Sequence, residues 1–180
     1  MADAEVSKTS VRKDVWVRVP PSAPMILTID RLIKELEDFR DSHKIVMTSG
    51  GFDPLHIGHI RCIQESAAIA TPHGVLVVIV NGDGFLTRKK GKPFMLHQER
   101  MEIIDALRGV DFVTGWDDGS QTVVGALELL KPNVFTKGGD RSTANRVPEV
   151  DVCERIGCRI SYGVGGTDKI QSSSDLIKNM

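Results

Sequence analysis

Val75-Leu76-Val77-Val78-Ile79-Val80 is the longest purely apolar run in the chain, six residues of which five are β-branched. It is far short of the ~18 residues that suggest a membrane span. Nothing in it can face water, so it reads as a strand covered on both faces, the environment of a parallel sheet between two helix layers. The flanking sequence agrees. From Thr28 onward, Ile29, Leu32, Ile33, Leu36 and Phe39 recur at helical spacing with charged residues between them. Strands are then predicted at residues 45–48, 112–113, 134–136 and 159–162, and helices at 60–70, 97–107, 122–130, 149–156 and from about Ser173. This alternation predicts one α/β domain, Rossmann-like, with a parallel sheet of about five strands and helices on both faces. Ligands of such sheets bind at the carboxyl ends of the strands, so chemistry is expected just after Thr48, Val80, Thr136 and Tyr162.

Composition narrows the partners. Twenty-three Lys plus Arg against 24 Asp plus Glu leave a formal charge of −1. No overall field draws the chain to nucleic acid or to a membrane surface, and any basic site has to be local. Aromatics, at 5%, are too few for a base-stacking platform. Cys62, Cys153 and Cys158 form neither an even disulfide framework nor a CxxC pair, so a cytoplasmic setting without structural zinc is expected. Cys62 is expected to pack inside its helix, and Cys153 and Cys158 in or near the core.

Residues 1–24 stand apart. They carry three of the eight prolines and lack the apolar stretch of a signal peptide. Val17-Arg18-Val19-Pro20 and Ala23-Pro24 back-translate to stretches resembling the T-loop and 3′ end of a transfer RNA gene. The segment is therefore expected to be a non-native or flexible extension, with Met25 as the natural start and residues 25–180 as the working domain.

The first strand end runs into Gly50-Gly51-Phe52-Asp53-Pro54-Leu55-His56-Ile57-Gly58-His59. Glycines let backbone approach a ligand, and the HxGH segment brings two imidazoles to a helix start, where free amides and the dipole favour anions. Either histidine alone would read as an ordinary core or surface residue; together, in this context, they suit a polyphosphate. Arg88-Lys89-Lys90-Gly91-Lys92 packs four basic residues into five positions and reads as a solvated turn or a mobile clamp over phosphates. Lys137-Gly138-Gly139-Asp140 follows another strand end, where Asp140 can receive hydroxyl hydrogen bonds, although a plain αβ turn would use the same residues. Ser172, Ser173 and Ser174 suit a helix cap and a phosphate site equally, because both use the same free amides. Two apparent motifs fail: Gly82-Asp83-Gly84 lacks the third glycine of a dinucleotide fingerprint, with Thr87 in its place, and no GxxxxGK[ST] occurs.

GGFDPLHIGH resembles the signature of the cytidylyltransferase-like branch of the HIGH-motif nucleotidyltransferases. Gln98-Glu99-Arg100-Met101, Ala106-Leu107-Arg108-Gly109-Val110-Asp111 and Lys137-Gly138-Gly139-Asp140 look most like the heptose 1-phosphate adenylyltransferases, and Gln171-Ser172-Ser173-Ser174 is similar to the superfamily's serine- and threonine-rich helix start. The resemblance implies transfer of a nucleotidyl group from ATP to a sugar 1-phosphate, with Mg²⁺ neutralising the triphosphate. It implies His56, His59, Lys90 and Lys92 as catalytic, and Gly51, Phe52, Asp53, Gly58, Lys137, Gly139, Asp140, Gln171, Ser172, Ser173 and Ser174 around the nucleotide. Asn81, Asp83 and Arg100 fall to the phosphorylated acceptor, with a structural salt bridge as the alternative for Arg100. Asp53 is expected to fix its loop by accepting backbone amides, since a free carboxylate is unwelcome beside phosphates. No metal-ligating residue is assigned.

The sequence departs from the heptose pattern at Gly51 and Pro54, where the Phe-Asp-Pro form is more like the pantetheine-phosphate and nicotinamide-mononucleotide enzymes. CTP with a glycerol-phosphate-like or amino-alcohol phosphate is the alternative, although Gly165-Gly166-Thr167-Asp168-Lys169 lacks the arginine those enzymes usually place before their serines. A non-catalytic nucleotide-binding regulatory module is the reading from another class. An open sheet edge or helix face could support a homodimer.

Overall fold

A computed structural model describes residues 25–139, 148–166 and 173–178. In chain order the elements are α1 (Ile29–Arg40), β1 (Lys44–Gly50), α2 (Ile57–Ala70), β2 (Gly74–Asn81), α3 (Asp83–Lys90), α4 (His97–Asp105), β3 (Phe112–Trp116), α5 (Val124–Leu130), β4 (Val134–Gly138), α6 (Val150–Ile156), β5 (Arg159–Val164) and α7 (Ser173–Lys178). The five strands form one sheet in the order β3-β2-β1-β4-β5, parallel at every pairing. The predicted class, strand number and parallel pairing are those observed.

Side chains alternate across each strand, and the two faces collect separate cores. Ile45, Met47, Val77, Ile79 and Phe135 point to one face, where Leu32 and Leu36 of α1, Leu127 and Leu130 of α5 and Val152 of α6 pack. Val46, Leu76, Val78 and Val80 point to the other, against Ile63 and Ala67 of α2 and Ile104 of α4. The run at residues 75–80 thus lies on an interior strand, between β3 and β1, with apolar partners on both faces. Cys153 and Cys158 are buried in the first core, as expected. Beside β3, the Leu27 amide donates to the Val113 carbonyl at 2.9 Å and the Val113 amide to the Met25 carbonyl at 3.1 Å, so the segment before α1 pairs with that edge.

Several element bounds differ from expectation, and one helix is new. The strands run one to a few residues beyond their predicted limits, because backbone pairing continues past the apolar residues that mark them. Helix α2 starts at Ile57 rather than residue 60, which puts Gly58 and His59 in its first turn. Helix α3 was not anticipated: of what reads as a basic loop at residues 88–92, Arg88, Lys89 and Lys90 form the last turn of a helix capped by Gly91. Only Phe85 and Leu86 of α3 are buried, too few for an apolar stripe. Its start is held from a distance, where the Asp117 carboxylate after β3 accepts the Phe85 amide at 2.9 Å and Arg88 at 2.5 Å.

No helix among the described residues is long and apolar enough to cross a membrane. Residues 1–24, Asp140, Gln171 and Ser172 lie outside the described residues.

Candidate active site

Strand β1 pairs with β2 on one side and β4 on the other, so the order of connection reverses between β1 and β4. Helices leaving neighbouring strands there go to opposite faces and open a crevice at the carboxyl ends. A cavity of about 570 Å³ occupies that crevice, a size suited to a small ligand. Its lining includes Gly51, Phe52, Asp53, His56, Gly58 and His59 after β1, Asn81 at the end of β2, and Lys89 and Lys90 of α3. Lys137, Gly139, Glu149 and Ser173 close the other side.

The signature loop is held from beneath. Asp53 is almost wholly buried, and its carboxylate accepts the Phe94 amide at 2.8 Å and the Met95 amide at 2.7 Å. Lys90 reaches the same carboxylate at 2.6 Å and donates to the Asp53 carbonyl at 2.7 Å. Burial alone would raise the Asp53 pKa; Lys90 and the two amides outweigh it and hold the carboxyl below its usual value. Asp53 therefore ties the loop to α3 and to the segment before α4. Ser173 at the start of α7 donates to the Pro54 carbonyl at 2.9 Å, fastening the loop from its other side.

His56 and His59 stack, with ring centroids 3.7 Å apart and planes inclined by 23°. The His56 amide donates to His59 Nδ1 at 3.3 Å, which places the proton of a neutral His59 ring on Nε2. Phe52, in the left-handed region at φ 51°, packs its ring edge-on against His59 at 5.1 Å. Gly58 gives this packing room, since a Cβ there would lie 3.1 Å from the His56 imidazole and the ring would have to shift. Burial, and then the neighbouring His56, push the His59 pKa down to about 3, and burial lowers that of His56. Near neutrality both rings are uncharged hydrogen-bonding groups at the start of α2.

The cavity is polar and incompletely satisfied. His56 Nδ1, Asn81 Oδ1 and Glu149 Oε2 are buried side-chain atoms without a hydrogen-bond partner among the described residues, and all three residues line it. Buried polar atoms are rarely left so unless a ligand or water completes them.

Arg100 does not meet the cavity. It is 0% exposed, and it donates to the carbonyls of Met95 at 3.1 Å, Gly51 at 2.7 Å and Asn81 at 2.7 Å. It also pairs with the Asp83 carboxylate at 2.6 Å. Of the two uses the sequence leaves open for Arg100, the geometry shows the structural one: Arg100 clamps the ends of β1 and β2 together, and Asp83 neutralises it. Lys92 is exposed and outside the cavity lining, past the end of α3, so the structure separates it from Lys90.

Several lining residues escaped sequence reasoning. Cys62 does not pack away inside its helix but faces the cavity, one helical turn after His59, a spacing that could have revealed it. Burial keeps its thiol above the usual pKa, hence protonated. Gly165, at φ 87°, lies where a Cβ would be 2.5 Å from the Cys62 amide nitrogen, so the β5 end closes directly over α2. Glu149, 3.3 Å from Lys137 Nζ, carried no local signal because its partner is twelve positions away. Lys89 was counted within the basic run but not singled out.

A family model described as cytidylyltransferase-like matches residues 47–156. Among curated proteins, the bifunctional protein HldE of Hahella chejuensis is 34% identical over 143 residues, 78% of this chain and 27% of that protein. The bifunctional protein HldE of Pseudomonas putida is 31% identical over 173 residues, 94% of this chain and 33% of that protein. The chain thus spans about a third of the length of the curated relatives it matches. Among solved structures, the lipopolysaccharide core biosynthesis protein from Thermoplasma volcanium is similar in fold, with a TM-score of 0.56 and 24% identity, covering 70% of this chain and 99% of that one. The matched span takes in the signature loop, the stacked histidines and both strand ends of the crevice, and with it the chain belongs to the cytidylyltransferase-like family.

Proposed function

We propose that this protein is a nucleotidyltransferase that moves AMP from ATP to a sugar 1-phosphate of the heptose 1-phosphate type and releases pyrophosphate. A phosphate oxygen of the acceptor attacks the α-phosphorus, the bond from that phosphorus to the bridging oxygen breaks, and pyrophosphate leaves with the electron pair. Such a reaction needs little covalent chemistry from the protein; it needs alignment and neutralisation of charge on the phosphoryl oxygens.

The observation that carries the reading is the uncharged His56–His59 stack at the start of α2, in one cavity with Lys89 and Lys90 of α3. Neutral imidazoles donate hydrogen bonds to phosphoryl oxygens without repelling the neighbouring lysines. Either ring gains stability as a cation when a triphosphate arrives, so its charge can grow with that of the transition state. Asp53, engaged by Lys90 and two amides, keeps its own charge turned away from the phosphates.

Among the described residues no cluster of three or more His, Cys, Asp or Glu could hold a metal ion. Among the described residues the carboxylates lining the cavity are Asp53 and Glu149, each paired with a lysine. This donor set does not fit a resident metal, and in this proposal Mg²⁺ enters only as part of the nucleotide substrate.

ATP is favoured by the similarity to HldE proteins and by the heptose-like segments around Arg100 and Lys137. CTP is the second reading, favoured by the description of the matching family. A pyrophosphate-release assay crossing ATP, CTP, GTP and UTP with sugar, polyol and amino-alcohol phosphates tests both. Turnover is expected with ATP and a sugar 1-phosphate; turnover with CTP alone overturns the adenylyl assignment. Nucleotide binding without turnover on any pair supports a regulatory module instead. His56→Ala and His59→Ala are each expected to lower turnover by about a hundred- to a thousandfold, the range for removing one positioned charge-stabilising donor.

A further inference from the structure

Glu149 is a carboxylate that the reaction as proposed does not use. The residue is 5% exposed and lines the cavity beside Pro148 and Lys137, just before α6. Its Oε2 is 3.3 Å from Lys137 Nζ and accepts no hydrogen bond from the described residues. Withdrawing two charges from water is costly, and the pair is favourable only when the remaining lone pairs are also satisfied. Among the described residues this one is not.

A ligand group that completes the site has to donate a hydrogen bond to a carboxylate while lying against an ammonium. An amine cation is repelled by Lys137, and a phosphate or carboxylate by Glu149. A hydroxyl suits both, because it donates to the one and has lone pairs for the other, and vicinal hydroxyls suit the pair better still. The location agrees: Glu149 and Lys137 stand at the β4 side of the crevice, whereas the basic α3 residues stand at the β2 side.

We propose that Glu149 is a specificity-determining residue that accepts a hydrogen bond from a sugar hydroxyl of the bound ligand. The inference rests on reading the cavity as a nucleotidyltransferase site. The hydroxyl can come from the ribose of the nucleotide or from the sugar of the acceptor, and the chemistry is the same. A site that reads a hydroxyl rejects the analogue lacking it, because the buried acceptor is then left unpaired.

The test is calorimetric binding to the full chain and to its Glu149→Gln and Glu149→Ala variants. The probes are ATP, 2′-deoxy-ATP, 3′-deoxy-ATP and ITP, together with mannose 1-phosphate and inorganic phosphate. If the ribose is read, wild-type protein prefers ATP to one deoxy analogue by about ten- to a hundredfold, the worth of a hydrogen bond to a charged group. That preference collapses in Glu149→Ala and is intermediate in Glu149→Gln. If the acceptor is read, the ATP preference is unchanged and the preference for mannose 1-phosphate over inorganic phosphate collapses instead. Unchanged ratios in both arms, or a change confined to ATP against ITP, overturn the role of Glu149 while leaving the nucleotide site standing. Wild-type protein that binds none of the probes overturns both readings. Glu149→Gln preserves volume and one acceptor, so it carries the test if Glu149→Ala fails to fold.

Discussion

Replacing Arg100 by methionine discriminates a structural clamp from a substrate anchor. Methionine retains much of the aliphatic stem but removes the guanidinium, leaving the carbonyls of Gly51, Asn81 and Met95 without its donors. Each buried acceptor left unpaired costs about 1–3 kcal/mol. Asp83, whose side chain is 39% exposed, recovers water and adds little. Three acceptors bound the loss at about 3–9 kcal/mol, and water entry and relaxation bring the expected value to about 3–5 kcal/mol, that of removing one partner of a buried ion pair. For a chain of this length that lowers Tm by roughly 6–20 °C. Thermal and urea unfolding of the wild type, Arg100→Met and Arg100→Lys measure it, with lysine expected to fall between the other two. A Tm within about 2 °C of wild type, with a raised KM for the acceptor alone, would refute the reasoning and return Arg100 to the substrate.

Three further outcomes follow from the same geometry. The pKa of His59 is depressed to about 3 by burial and His56, so between that value and the ordinary 6.5 the unfolded chain binds the extra proton. The stability His59 contributes is full above pH 6.5 and falls as pH drops toward 3, by up to about 1.4 kcal/mol per pH unit; His59→Gln should flatten that slope in unfolding measured from pH 7 to 4, and an unchanged slope counts against a buried neutral His59. Lys90→Ala breaks the tie to Asp53 and should lower both Tm and turnover, whereas exposed Lys92→Ala should leave turnover within about twofold; equal losses in both would restore a shared basic clamp. Deleting residues 1–24 should leave Tm and pyrophosphate release unchanged, and loss of the folded protein would show that the segment belongs to the domain.

The class of fold was legible because burial leaves a mark on each strand and helix separately. The apolar run at residues 75–80 needs cover on both faces whatever its neighbours, and the alternation of short strands with amphipathic helices permits few arrangements. The stretch from Gly50 to His59 was legible for a similar reason: glycine, proline and histidine at those spacings carry a local meaning that a strand-to-helix turn expresses. Helix α3 was not, because its start is capped by Asp117, thirty-two positions beyond the amide it receives, and its own apolar content is small.

Sequence by itself determined the parallel α/β architecture, the place of the crevice at the strand ends, and the pair of histidines that enters it. Tertiary structure decided which charges face that crevice and which are spent beneath it. Arg100 and Lys90 are both cations beside the same signature loop, yet one is wholly enclosed by carbonyls and a carboxylate while the other lines the cavity. The same holds for Glu149, whose meaning comes from Lys137 across the gap between β4 and α6. Electrostatic roles depend on distance and solvent access, and these are set by contacts between residues far apart in the chain, which local spacing does not encode.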